Sequence, residues 1–109
     1  MDPARPVMML RARARPQSQG RFGLWFRTGH MEDVRKIPGI IEVERGTTPD
    51  GTQIGFYSFE DGDAVQAALQ SPQAAEARTG WSTWAQELEE FVVELYAPLF
   101  PIPTFESIN

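Results

Sequence analysis

One histidine stands in this chain of 109 residues, and His30 is the natural seat for proton transfer near neutral pH. Asp33 follows one helical turn later. A carboxylate at that spacing reaches an imidazole, orients it and favours its protonated form, while burial of the ring works the other way. Trp25 and Phe26 lie about a turn earlier and offer aromatic walls; Tyr57 offers a phenol. Arg13, with Arg11 on the same side of its strand, offers a cation for a carboxylate or an enolate. Each group also has a plainer reading. His30 is then a structural hydrogen-bonder, and Asp33 is satisfied by a backbone N–H or by an arginine. Tyr57 belongs to the core, Arg11 and Arg13 pair with Glu42, Glu44 or Glu94, and Trp81 and Trp84 are core or dimer contacts before they are pocket walls.

The elements that position these groups follow from periodicity. Residues 7–15 alternate, with Leu10, Ala12 and Ala14 opposite Met9, Arg11, Arg13 and Arg15, which predicts a strand ended by Pro16. Ser18 is the expected N-cap of a helix stopped by Pro38-Gly39. Its apolar stripe runs through Phe22, Phe26, Val34 and Ile37. At about 100° per residue from Phe22, Asp33 falls at about 20°, His30 at about 80° on the border of the stripe, and Trp25 at about 300°.

Residues 40–45 form a second strand, with Ile41 and Val43 on one side, and residues 52–60 a third. The turn Thr47-Thr48-Pro49-Asp50-Gly51 joins them as a hairpin. Asp61 or Asp63 caps a short helix through Leu69, and Ser71-Pro72 starts the next, so the second helix is split. The latter buries Ala77, Trp81, Trp84 and Leu88. Residues 91–96 complete four strands, and Pro98, Pro101 and Pro103 keep the tail out of helix and sheet.

The order β-α-β-β-α-β predicts an α+β, ferredoxin-like antiparallel sheet of four strands in one domain over residues 1–109, with a loose leader at 1–5 and an extended tail at 98–109. Strands two to four carry Ile, Phe, Tyr and Val on both sides. The second sheet face therefore calls for a partner, and a homodimer is expected.

Composition narrows the chemistry. Without cysteine there is no disulfide, thiolate ligand or cysteine nucleophile, and one histidine makes a protein-only metal site improbable. No apolar run approaches the ~20 residues that span a bilayer, no secretory leader is evident, and a cytoplasmic location is expected. The net charge is −5, yet residues 1–45 carry nine basic against five acidic side chains and residues 46–109 carry one against ten. This asymmetry reads as pairing between the halves. An acidic whole without a basic, aromatic-flanked cluster argues against nucleic acid.

The pattern Trp25-Phe26, His30, Asp33-Val34 and Ile37-Pro38-Gly39, preceded by Phe22, resembles the first-helix signature of EthD-like proteins of the dimeric α+β barrel superfamily. Phe59-Glu60, Ser71-Pro72, the Trp-bearing helix and Tyr96-Ala97-Pro98-Leu99 are similar too, so the resemblance covers residues 7 to about 100. Gly29 stands where relatives often carry Glu, and a proton relay through that carboxylate is missing here.

The resemblance implies a pocket between helices and sheet in a barrel-type dimer, and a titratable ring beside aromatics at the family position points to an enzyme that needs no metal or organic cofactor. Such an enzyme, of isomerase, lyase, cyclase or oxygenase type, acts on a small apolar or aromatic compound. His30 moves the proton, Asp33 orients it, and Trp25, Phe26, Tyr57 and Arg13 hold the substrate. Two alternatives stand beside it: a non-catalytic dimeric binding or accessory protein, and a haem-handling branch with His30 as axial ligand.

Overall fold

The computed structural model describes residues 5–97; the expected tail at 98–109, and the leader apart from Arg5, lie outside them. Strands β1 (Val7–Ala14), β2 (Ile40–Thr47), β3 (Gln53–Phe59) and β4 (Leu88–Tyr96) form one antiparallel sheet in the order β2-β3-β1-β4. Helices α1 (Gln19–Trp25), α2 (Met31–Arg35), α3 (Gly62–Leu69) and α4 (Pro72–Ser82) complete the α+β, ferredoxin-like arrangement. Among the described residues no helix is long and apolar enough to cross a membrane.

Strand alternation sorts the two sheet faces. Leu10, Ala12 and Ala14 of β1, with Tyr57 of β3, are buried in one core with Phe22 and Phe26 of the first helical body. A second cluster joins Ile37, Phe59, Val65, Ala68, Ala74 and Ala77 beneath α3 and α4. Arg11 and Arg13 lie on the opposite face. Arg11 bonds Glu90 at 2.8 Å, and Arg13 lies 3.4 Å from Asp50 and 4.0 Å from Glu90. The cross-strand partners are therefore Glu90 and Asp50 rather than Glu42, Glu44 or Glu94, because β4 starts at Leu88 and brings Glu90 opposite Arg13.

Two local departures matter for the site. A bulge in β2 between Ile40 and Glu42 places Ile40, not Ile41, on the core side with Val43, and Ile41 is left exposed. The first helical body is not uniformly α: α1 and α2 are joined by a π turn, Phe26–His30. A π turn holds more residues than an α turn, so each residue advances less in angle. His30 thereby rotates from the border of the stripe into the core, where it is 3% exposed, while Asp33 rotates off the stripe to a half-buried position facing α4.

The capping residues act largely as their sequence positions suggest. The Asp61 carboxylate accepts from the Ala64 N–H at 2.8 Å, and the Ser71 hydroxyl accepts from the Ala74 N–H at 3.1 Å. Ser18 differs. A short 3-10 turn, Pro16–Ser18, precedes α1, and its hydroxyl donates to Glu87 at 2.8 Å instead of capping the helix.

Candidate functional site

A cavity of about 390 Å³ lies between the helices and the sheet. Its existence follows from side-chain size. Of the buried residues of α3 and α4, Ala68, Ala74 and Ala77 line it while Val65 does not, and methyl groups cannot fill the space the larger sheet residues leave. Met8, Leu10, Tyr57 and Phe59 form the sheet side. Val34 and Ile37 close one flank, and Phe91 and Val93 of β4 close the other. Phe91 and Val93 remain nearly half exposed, the Phe91 ring packing edge-on against Trp81 of α4 with centroids 5.0 Å apart.

Three polar groups meet in this otherwise apolar wall. His30 Nε2 and the Tyr57 hydroxyl oxygen are 2.6 Å apart, and Trp81 Nε1–H donates to His30 Nδ1 at 3.1 Å. The π turn brings in His30, alternation in β3 brings in Tyr57, and the last turn of α4 brings in Trp81. Burial pulls the His30 pKa down from 6.5 to about 4, so the imidazole is neutral at pH 7. Burial also pushes the Tyr57 phenol above its ordinary range. Arg78 lines the same cavity from its exposed rim and donates to the Leu69 carbonyl at 3.3 Å.

The expected site residues are therefore brought together only in part. His30 and Tyr57 line the cavity side by side. Asp33 does not orient the imidazole, since both ring nitrogens are engaged by Tyr57 and Trp81; its carboxylate lies beside Gly80 of α4. Trp25 and Phe26 stand behind the cavity wall. The Phe26 ring is fully buried with its centroid 5.0 Å from His30, and Trp25 packs edge-on against Trp81 at 4.9 Å. Arg13 is on the opposite sheet face and cannot reach a ligand in this cavity.

Trp81 is the polar partner that sequence reasoning missed. It lies 51 residues from His30, and its helical spacing with Trp84 suggests a core or dimer contact first and a pocket wall second, with no polar role. The alanines at 68, 74 and 77 are the sequence feature that could have located the cavity, because small residues on a helix's buried stripe leave a gap.

The donor set does not suit a haem. An axial histidine needs a lone pair aimed at the iron, and here one ring nitrogen accepts from Trp81 while the other is hydrogen-bonded to Tyr57.

No family model matches the sequence, and no curated protein matches it. Solved structures do. An EthD family protein of Bacillus halodurans has a TM-score of 0.65 at 14% identity, covering 82% of this chain and 96% of that one. A monooxygenase of Streptomyces coelicolor, in complex with nanaomycin D, has a TM-score of 0.67 at 18% identity, covering 95% and 96%. A cofactor-independent oxygenase of Streptomyces nogalater has 0.65 at 15% identity, covering 90% and 98%. The chain has the ferredoxin-like α+β fold of these solved proteins, an EthD family protein among them.

Proposed function

We propose that this chain is an enzyme acting on a compact apolar or aromatic compound by proton transfer, with the cavity as its site and Tyr57, held by His30, as the proton-carrying group. The observation that carries this reading is the 2.6 Å His30–Tyr57 hydrogen bond in the wall of an apolar cavity large enough for a small organic molecule. Inside such a wall a hydrogen bond to a developing oxyanion is stronger than in water, so a phenol there stabilises an enolate or acts as a general acid. The oxygenases of the same fold support the substrate class. Asp33, Trp25 and Phe26 contribute by supporting the helix and wall around His30 rather than by touching substrate.

A homodimer formed through the open sheet face belongs to the same reading. Ile54, Phe56 and Val92 are half-buried on that face, around the Arg11–Glu90 pair. Phe56→Glu is expected to convert a dimer into a monomer in light scattering; a monomeric wild type removes this part of the reading.

Turnover of enolisable aromatic ketones, quinols and lactones tests the activity. Tyr57→Phe is expected to lower kcat by about 10²–10⁴-fold. Absence of turnover across the panel, or equal turnover in the variant, refutes the proposal. One observation favours a second reading, a non-catalytic ligand-binding protein: both nitrogens of the His30 ring are already satisfied within the protein, as in a structural histidine. Binding of the same compounds without turnover is its signature.

A further inference from the structure

We infer that Trp81 is a positioning residue that fixes the tautomer of His30 and so turns the Tyr57 hydroxyl hydrogen toward the cavity, selecting ligands that present an acceptor oxygen, such as aryl ketones and quinones. The inference rests on reading the cavity as a ligand site, and it adds which chemical group that ligand must bring.

The derivation is a count of hydrogens. An indole N–H donates and cannot accept. At 3.1 Å from Trp81 Nε1, His30 Nδ1 must therefore offer its lone pair. A neutral imidazole carries one hydrogen, which is then on Nε2. That hydrogen is donated to the Tyr57 oxygen 2.6 Å away. The hydroxyl hydrogen of Tyr57 cannot point at Nε2, because two hydrogens would meet there, and it is left for the cavity. The low pKa that burial imposes on His30 keeps the ring in this neutral form at pH 7.

Of the polar groups in the wall, the Trp81 N–H is spent on His30, and Arg78 stands at the rim with a donor on the Leu69 carbonyl. The inner wall thus offers one unspent hydrogen and no unspent histidine lone pair. A carbonyl oxygen meets that donor, whereas a ligand with only N–H groups finds no imidazole acceptor. Without Trp81 the other tautomer becomes available, Tyr57 can donate to Nε2, and the cavity loses its donor although Tyr57 is intact.

The single histidine makes this measurable, since the imidazole gives one set of ¹⁵N resonances in the full-length protein. At pH 7 the wild type is expected to show a protonated, pyrrole-type Nε2 and a pyridine-type Nδ1, and Trp81→Phe a mixture of tautomers. Three probes of similar size test the selectivity by titration: 1-tetralone with an acceptor oxygen, tetralin with no polar group, and indole with a donor only. Wild type is expected to bind 1-tetralone about 3- to 10-fold more tightly than the other two, the value of one neutral hydrogen bond. Tyr57→Phe removes the phenol donor and is expected to reduce the preference, the freed Nε2–H, set back behind the lost hydroxyl, being the one donor left in the inner wall. Trp81→Phe reduces it while keeping Tyr57, because part of the population then spends the hydroxyl hydrogen on Nε2.

A protonated Nδ1 in the wild type, the same tautomer in Trp81→Phe, no binding of any probe, or indole or tetralin binding as tightly as 1-tetralone each overturns the inference. Should Trp81→Phe fail to fold, wild type and Tyr57→Phe still decide it. Turnover is not read, so intact selectivity with no catalysis defeats the enzymatic proposal and leaves this one standing.

Discussion

The Tyr57 hydroxyl lies over the α-carbon of Gly55, at the place where a side chain on residue 55 would begin. Residues two apart on a strand share a face, so the missing Cβ leaves a trough along β3 into which the phenol folds. The ring then lies along the sheet, with its hydroxyl at His30.

Gly55→Ala is therefore expected to push the phenol away from His30. The overpacking costs about 1–3 kcal/mol in denaturant unfolding. Adding Tyr57→Phe should recover part of this loss, because the hydroxyl is the atom a Cβ meets first. A Gly55→Ala protein of wild-type stability with an intact Tyr57–His30 bond contradicts the arrangement.

The buried imidazole makes stability depend on pH. The His30 pKa is about 4 in the folded chain against an ordinary 6.5. Between these values the unfolded chain takes up a proton that the folded chain does not. The contribution of His30 is full above about pH 6.5 and is lost as pH falls toward 4, about 3 kcal/mol across the window. Denaturant midpoints at pH 7 and pH 4.5 should show this slope in the wild type and a smaller one in His30→Phe. Direct titration of the single imidazole gives the midpoint independently, and a value near 6.5 contradicts the burial.

Gly29 and Gly20 should respond oppositely to alanine. A Cβ at Gly29 would stand 2.9 Å from Trp25 Cδ1, so Gly29→Ala must move an indole that also lies close against Gly80. A Cβ at Gly20 in α1 meets nothing within 4 Å. Gly20→Ala is expected to stabilise by about 0.5–1 kcal/mol. Gly29→Ala should gain none of this and should alter the near-ultraviolet circular dichroism of the tryptophans. Equal gains at both positions would show that Trp25 is not held there.

Ser71 anchors the helix that carries Trp81. Its hydroxyl accepts from Ala74 N–H and donates to the Ala68 carbonyl at 2.7 Å, tying α4 to the end of α3. Ser71→Ala is expected to cost about 1–2 kcal/mol, measured by thermal or denaturant unfolding. Ser71→Asp, which keeps the acceptor, should recover the cap but not the bond to Ala68.

Much of the fold was legible because it depends on local periodicity. Alternation in residues 7–15 separates Leu10, Ala12 and Ala14 from the arginines, and the pairing register bears this out. Ser71-Pro72 and Asp61 mark helix starts because capping is a short-range bond. The candidate site was legible only as its residues, not as its partnerships. Constant helical angles put Asp33 on the stripe and His30 at its edge; the π turn at Phe26–His30 reverses this.

By itself the sequence determined the order of elements, the caps at Asp61 and Ser71, the hairpin and the presence of a single imidazole, since all of these rest on residue type and near-neighbour spacing. The tertiary structure alone decided what His30 touches. Tyr57 is 27 residues away and Trp81 is 51, and contacts across such distances are set by packing between elements, which no local pattern encodes.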